Sequence, residues 1–202
     1  MLQANNNINI IAAGSITASG TGSITLTANA DNLGGGDLTF AGALATAGGA
    51  ITLSGFSMNG AGNISGGGGL VSLTTAGGAS SLAGVISGTG TSVTKLGVGP
   101  LSLSGTNTYT GITTISAGTL VLGASNVLAD TSSVVVNGGT LSIGTNAETV
   151  ANVQLLSGII SGAAAATAVL TSTGGYDVRS GTISANLGGT GALTKTTAGI
   201  DD

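Results

Sequence analysis

The stretch that decides the fold runs from Val93 to Gly123 and reads VTKLGVGPLSLSGTNTYTGITTISAGTLVLG. Short runs in it alternate apolar with small polar residues, as in Leu101-Ser102-Leu103, which is the pattern of a β-strand with one buried face. Similar runs recur outside this stretch, for example at Ile24-Thr25-Leu26 and Ile51-Thr52-Leu53. Gly, Asn or Ser follows most of them, and these residues are typical of tight turns. The chain is therefore predicted to consist of short strands separated by turns.

Strand positions recur about once in twenty residues. One series is Val93, Ile112, Val134, Val153, Tyr176 and Leu193, and a second is Leu101, Leu120, Leu141, Ile159 and Ile183. A unit of this length cannot close its own core. Ordering twenty residues costs about 20–40 kcal/mol, whereas each inward aliphatic side chain contributes only about 1.5–3 kcal/mol. The units must therefore stack as coils, with Leu101 directly below Leu120.

The predicted fold class is all-β: a right-handed single-stranded parallel β-helix, or β-solenoid, with about 20 residues per coil and about ten coils. Residues 1–202 are predicted to form one continuous β-solenoid. A β-sandwich or a closed barrel also uses short strands and glycine turns, but hairpin signals and a more aromatic core are typical of those folds. Aromatic residues are only 2% of this chain, which favours the solenoid.

The composition excludes several classes of site. Gly, Ser and Thr together supply 92 of the 202 residues, and Cys, His and Trp are absent. Disulfides, Cys nucleophiles, metal sites built on Cys or His, and any Ser-His-Asp triad are therefore impossible. The basic residues are only Lys95, Arg179 and Lys195. Because three cations cannot neutralise a phosphate backbone, no nucleic-acid partner is predicted.

The sequence shows neither a membrane-spanning helix nor a signal peptide. No apolar run approaches the roughly 18–20 residues that cross a bilayer as a helix. The opening residues MLQANNNINI lack a basic segment followed by an apolar one, so no signal peptide is predicted within this sequence.

Acid–base chemistry would fall to carboxylates, which are scattered along the chain at Asp31, Asp37, Asp130, Glu148 and Asp177. Asp130 and Glu148 lie nearly one coil apart and could stack as an acid–base pair, but two solvated turn residues are the preferred interpretation. Asp177 and Arg179 are expected to share a face and form a surface ion pair that contributes little to stability. No catalytic, cofactor-binding or metal-binding residue is predicted, and the chain is predicted not to be an enzyme.

Gly34-Gly35-Gly36-Asp37-Leu38 faintly resembles the calcium-binding nonapeptide of β-rolls. That motif needs its Gly and Asp positions repeated in successive turns, so that oxygens from two turns meet at the ion. Because nothing in the chain repeats the segment, no calcium or other cofactor is predicted.

The segment Val93–Gly123 closely resembles the passenger-associated transport repeat of Gram-negative autotransporters. The family pattern is L-T-K-x-G-x-G-x-L-x-L-x-G-x-N-x-Y-x-G-x-T-x-I-x-x-G-x-L. It is matched at Thr94, Lys95, Gly97, Gly99, Leu101, Leu103, Gly105, Asn107, Tyr109, Gly111, Thr113, Ile115, Gly118 and Leu120. Val93 replaces the leading Leu. The motif carries no catalytic residue, and its tyrosine, Tyr109, is expected to pack against a turn or a neighbouring coil.

Two further stretches bear weaker resemblances. Residues 193–199, LTKTTAG, look like the opening of a second copy, which departs from the pattern at Thr197, where Gly is expected, and at Asp201, where Leu is expected. The stretch NINIIAAGSITASGTGSITLTANADN near the start is similar in style to haemagglutinin-type surface repeats. Residues 1–80 are therefore predicted to be haemagglutinin-like coils and residues 81–202 autotransporter-repeat coils.

The resemblance implies a secreted β-helical passenger segment, exported through an outer-membrane barrel that belongs to the parent protein. The function it predicts is a non-catalytic stalk or adhesin segment, secreted or at the surface of a Gram-negative bacterium. The alternative is a self-assembling extracellular fibre or matrix subunit, and a carbohydrate-active enzyme is a third hypothesis. The predicted partners are other copies of the chain, through end-to-end or edge pairing, or host and bacterial surface glycans.

Overall fold

The structure is a computed structural model that describes residues 1–30 and 34–196. Asp31, Thr197 and Asp201, which carry expectations stated above, lie outside the described residues. Within them, the chain forms 22 β-strands and no helix. The strands are β1 (Leu2–Gln3), β2 (Ile8–Ile10), β3 (Ile16–Ala18), β4 (Ile24–Thr27), β5 (Leu38–Phe40), β6 (Leu44–Thr46), β7 (Ile51–Gly55), β8 (Met58–Gly60), β9 (Ile64–Ser65), β10 (Leu70–Thr75), β11 (Ser80–Leu82), β12 (Ile86–Ser87), β13 (Ser92–Leu96), β14 (Pro100–Leu103), β15 (Ile112–Ile115), β16 (Thr119–Leu122), β17 (Ser133–Ser142), β18 (Glu148–Ser161), β19 (Val169–Val178), β20 (Thr182–Ile183), β21 (Asn186–Gly188) and β22 (Leu193–Lys195).

Stacked parallel strands build the whole described chain. All pairings between the described strands are parallel, and the coils number about 9, with roughly 21 residues each. This confirms the predicted parallel β-solenoid, with slightly longer and fewer coils than expected. No described segment is a helix with the length and apolar character needed to span a membrane.

The coils have three faces. Face 1 stacks β1, β4, β7, β10, β13, β15, the first half of β17, the middle of β18, the end of β19, and β22. Face 2 stacks β2, β5, β8, β11, β14, β16, the end of β17, the end of β18, and β20. Face 3 stacks β3, β6, β9 and β12, and resumes at the starts of β18 and β19 and at β21.

Alternate residues of each strand enter a narrow interior. Leu101 pairs with Leu120, which pairs with Leu141, and all three side chains are fully buried. The residues between them along the strands face outward, as Ser102 and Ser142 do, and are half-buried. The predicted facing of these strands is therefore confirmed.

Two members of the predicted inward series are wrong by one residue. Thr113, and not Ile112, pairs with Val93, and the Ile112 side chain is 46% exposed. Likewise Ile160 pairs with Leu141, whereas Ile159 is 41% exposed. Because side chains alternate between faces, a shift of one residue moves an aliphatic side chain from the core to solvent. The coils vary in length, and β17 and β18 pair with register shifts, so even spacing alone does not fix the inward residue.

Candidate functional site

Face 3 is interrupted within the segment 93–122 and directly after it. Its strands end at β12 and resume only at the start of β18, which leaves residues 104–111 and 123–132 without strand structure. On this face, Leu44 and Ile64 donate their backbone N–H to a carbonyl of the following coil. A buried N–H that lost such an acceptor would cost about 1–3 kcal/mol. The backbone N–H groups of face 3 that border the interruption therefore need other acceptors.

Asn107 supplies the first substitute acceptor. Its Oδ1 accepts the Ile86 N–H at 2.8 Å, in place of a backbone carbonyl, and its Nδ2 donates to the Val127 carbonyl at 2.9 Å. Its own backbone N–H donates to the same carbonyl. The Asn107 side chain is buried and thus bonds to the coil before it and to the coil after it.

Glu148 supplies the second substitute acceptor. Its two carboxyl oxygens accept the N–H groups of Val127 at 2.8 Å and Leu128 at 3.2 Å. The side chain is buried, which contradicts the expectation of a solvated turn residue. Burial, with a smaller contribution from the nearby charge of Asp130, raises the pKa of Glu148 to about 7 against the lowering effect of these N–H bonds. Asn107 and Glu148 together carry the hydrogen-bond ladder of face 3 across its gap.

Lys95 occupies an inward position of face 1, where Leu73 lies in the coil before and Ile115 in the coil after. Its side chain is fully buried. The Nζ donates to the carbonyls of Leu96 at 2.7 Å and Gly97 at 2.8 Å. Gly97 makes this turn with a φ of 73°, a conformation that favours glycine. Burial lowers the Lys95 pKa to about 8, and the ammonium fixes a corner of the coil.

Tyr109 is fully buried, and its hydroxyl lies 2.6 Å from the hydroxyl of Thr113. Burial raises the pKa of Tyr109, so the phenol stays neutral. This pair explains why a threonine takes the inward position of face 1 at residue 113. Tyr109, which was expected to pack against a turn or a neighbouring coil, is thus buried inside the solenoid beside Thr113.

The other carboxylates of the described residues do not assemble an acid–base site. Asp130 is exposed while Glu148 points into the core, so the two do not share a face. Asp37 accepts a hydrogen bond from the Ser57 hydroxyl at 2.7 Å and thereby joins neighbouring coils. Within residues 1–30 and 34–196, no group of three or more Asp or Glu side chains could hold a metal ion.

Asp177 is the centre of a polar cluster on the outer surface of face 1. Its carboxylate accepts hydrogen bonds from Gln154 at 2.7 Å and Arg179 at 3.1 Å, and from the Thr196 hydroxyl. The bonds from Thr196 and Gln154 chiefly lower its pKa. The predicted Asp177–Arg179 ion pair is confirmed, and it lies at the surface, with half of the Arg179 side chain exposed.

The sequence did not assign the inward roles of Lys95, Asn107 and Glu148. Lys95 is two residues from Val93 in a strand, and Asn107 is two residues from Tyr109, so period-two alternation could have placed both inside. For Glu148 the sequence indicates an inward side chain only weakly, through its position one coil after Val127.

The comparisons with known proteins bear on the same stretch. The family model of the passenger-associated transport repeat matches residues 93–122. No curated protein and no solved structure matches the chain. Lys95, Asn107 and Tyr109, whose polar groups are hydrogen-bonded inside the coils, all lie within the matched residues. Residues 93–122 thus match the passenger-associated transport repeat and lie within a β-solenoid, which is consistent with a segment of an autotransporter passenger.

Proposed function

We propose that this chain is a structural, non-catalytic segment of an autotransporter passenger, displayed at the surface of a Gram-negative cell or secreted from it. The observation that carries the proposal is the interior of the transport repeat. Its polar side chains, Lys95, Asn107 and Tyr109, make hydrogen bonds inside the coils and are removed from solvent. Such groups hold a rod together and are not available to a substrate.

The proposed role follows from how a solenoid grows. Each coil presents a row of backbone N–H and C=O groups, and the next coil completes them, so stability increases with each coil added. A chain that emerges through a barrel of the parent protein would fold outside the cell in this way. Asn107 supports this step because it accepts from Ile86 and donates to Val127, which ties three coils in one side chain.

A stalk or adhesive role fits the outer surface better than catalysis does. The outward residues are mostly Ser, Thr and Asn, and the carboxylates that could act in pairs, Asp130 and Glu148, face different environments. Outer hydroxyl and amide groups suit weak contacts to surface glycans or to other copies of the chain.

A display experiment tests the proposal. The chain would be placed between a signal peptide and an outer-membrane barrel, and surface exposure measured by antibody labelling of intact cells with added protease. We expect the wild-type chain to be displayed and its coils to resist the protease. Leu101→Asp should reduce display, because a buried unpaired carboxylate costs several kcal/mol, whereas Ser102→Asp should not. Equal display of both variants would contradict a role for folding in export.

End-to-end assembly is the second candidate. Leu2 in β1 is 48% exposed and Leu193 in β22 is 58% exposed, so the first and last described coils leave apolar surface uncovered. In a longer parent chain, further coils would cover the same surface. Sedimentation of the purified 202-residue chain distinguishes the two, since fibre formation predicts assemblies whose length grows with protein concentration.

A further inference from the structure

Two ranks of hydroxyl groups run along the outer surface of face 1, on β4, β7, β10, β13 and β15. In the first rank every coil carries a hydroxyl at the same outward position, and the members paired in register are Thr25, Thr52, Ser72, Thr94 and Thr114. The second rank lies two residues further along the strands and contains Thr27, Ser54 and Thr74, after which Leu96 ends it. These half-buried positions alternate with buried ones, so the hydroxyls lie on the outer surface.

The two ranks form a regular array. Strands of neighbouring coils are about 4.8 Å apart, and alternate residues of one strand are about 6.6 Å apart. The pairings from β4 to β15 along face 1 have no register shift, whereas those of β17 with β18 and of β18 with β19 do. The inward residues between the ranks, such as Leu53 and Leu73, are fully buried and hold the strands in place. The array is therefore both even and rigid.

The hydroxyls of the array are free to bond to water. Within the described residues, hydroxyl hydrogen bonds are made by other threonines, such as Thr46 and Thr75, and none by the two ranks. Face 2 has the same spacing between coils but no comparable array in the part that the structure describes. Its Thr39 hydroxyl donates to Oδ1 of Asn9 at 3.0 Å, and its outward row along the next coils is Asn59, Ser81, Ser102 and Val121. Coil spacing alone thus does not produce the feature.

The array is also uncharged. The outward residues of β4, β7, β10, β13 and β15 include no acidic, basic or aromatic side chain, because Lys95 points inward. Leu70 and Ile112 adjoin the first rank on the same face, and their side chains are 45% and 46% exposed. The surface therefore combines unpaired hydroxyls with apolar groups. It suits a neutral partner and offers no counter-charge to an ionic one.

We propose that this array binds ice, through waters anchored on the two ranks of hydroxyls. On the prism face of ice, water oxygens repeat on a rectangle whose sides are close to the spacing between coils and between ranks. A single exposed hydroxyl contributes little to binding, so the array holds firmly only a rigid partner that meets many hydroxyls at once. An ice surface is such a partner and its waters are already ordered, whereas a flexible oligosaccharide loses conformational freedom on binding. The inference goes beyond the passenger role and does not depend on export.

The test uses the purified 202-residue chain. The readouts are its partition into a slowly growing ice front and its inhibition of ice recrystallisation. We expect the wild-type chain to be enriched in the ice and to slow recrystallisation. Thr52→Lys places a long charged side chain between Thr25 and Ser72 and should abolish both effects, and Thr94→Lys should act in the same way.

Ser102→Lys is the matched control. Ser102 is outward and half-buried, as Thr52 is, but it lies on face 2, where the coil spacing is the same. This variant should partition into ice as the wild-type chain does. Urea midpoints close to that of the wild type should show that all three lysine variants are folded.

Several results would overturn the inference. One is a wild-type chain that the ice front excludes as it excludes an inert protein of the same size. Another is an equal loss of partition in Ser102→Lys, or full partition of Thr52→Lys. Adsorption to microcrystalline cellulose at room temperature that Thr52→Lys abolishes would assign the array to a crystalline polysaccharide. Concentration-dependent sedimentation that Thr52→Lys abolishes would assign it to a second copy of the chain. A chain that partitions into ice but fails the display experiment would contradict only the passenger role.

Discussion

The buried carboxyl group of Glu148 makes the stability of the solenoid depend on pH. Its pKa is about 7 in the folded chain against an ordinary value of 4.5, chiefly because burial disfavours the charge. The folded chain therefore binds this proton more tightly than the unfolded chain does. The resulting stability is fully present below about pH 4.5 and is lost as the pH rises through about 7.

The size of the effect follows from the two pKa values. Their difference is worth about 3.4 kcal/mol in all, at about 1.4 kcal/mol for each pKa unit. About 2.5 kcal/mol of this falls between pH 5 and pH 7.5. The chain has no His, so no imidazole titrates in the same interval. Lys95, with a pKa of about 8, remains largely protonated across it.

Urea unfolding at pH 5, 6, 7 and 7.5 would measure the predicted loss. Glu148 is the one glutamate of the chain, so selective carbon-13 labelling of glutamate gives a single carboxyl resonance, which reports its pKa directly. Glu148→Gln should flatten the pH dependence. Asp130→Asn should keep the pH dependence of the free energy of unfolding but shift it to lower pH, because this variant removes the neighbouring charge that raises the Glu148 pKa.

A labelled carboxyl that titrates near 4.5 while the chain is folded would contradict the effect of burial on Glu148. An equal free energy of unfolding at pH 5 and pH 7.5 would contradict it as well. A pH dependence that persists unchanged in Glu148→Gln would assign the effect to another group.

Two further predictions concern the interior. Asn107→Ala should lower the free energy of unfolding by about 1–3 kcal/mol, since it leaves the buried Ile86 N–H without an acceptor. Hydrogen exchange should report lost protection at Ile86, whereas the exposed control Thr106→Ala should cost less than about 0.5 kcal/mol. Leu101→Asp should destabilise the chain by several kcal/mol and Ser102→Asp only slightly, and similar urea midpoints for the two variants would contradict the assigned facing.

The sequence was sufficient to predict the solenoid because two independent signals agree. Period-two alternation placed Leu101 inside and Ser102 outside, and the recurrence at about twenty residues placed Leu101 against Leu120. Both are local or nearly local properties of the chain. The division into residues 1–80 and 81–202 stays a prediction.

The polar interior could not be predicted in the same way. Glu148 points inward because backbone N–H groups of the preceding coil have no carbonyl acceptor there. They lack one because two coils have no strand on face 3. Ile112 and Ile159 were misplaced for a related reason. Coil lengths differ by a residue or more. Hydropathy also assigns the aliphatic residue to the core even where its polar neighbour points inward, as Thr113 does beside the buried hydroxyl of Tyr109.

Buried polar groups occur along the described coils, and Lys95 and Asn107 are among those that lie in the transport repeat. Columns of Leu, Ile and Val look alike from coil to coil, so hydrophobic burial alone distinguishes poorly between registers that differ by two residues, which keep the same face inside. A side chain such as Asn107 bonds to one N–H and one carbonyl, and a shifted coil would leave all of these groups unpaired. Lys95 makes one bond of this kind, from its Nζ to the carbonyl of Ala117 in the following coil at 3.4 Å. The repeat therefore fixes the stacking register of the rod, at the expense of buried polar groups that an aliphatic coil would not need.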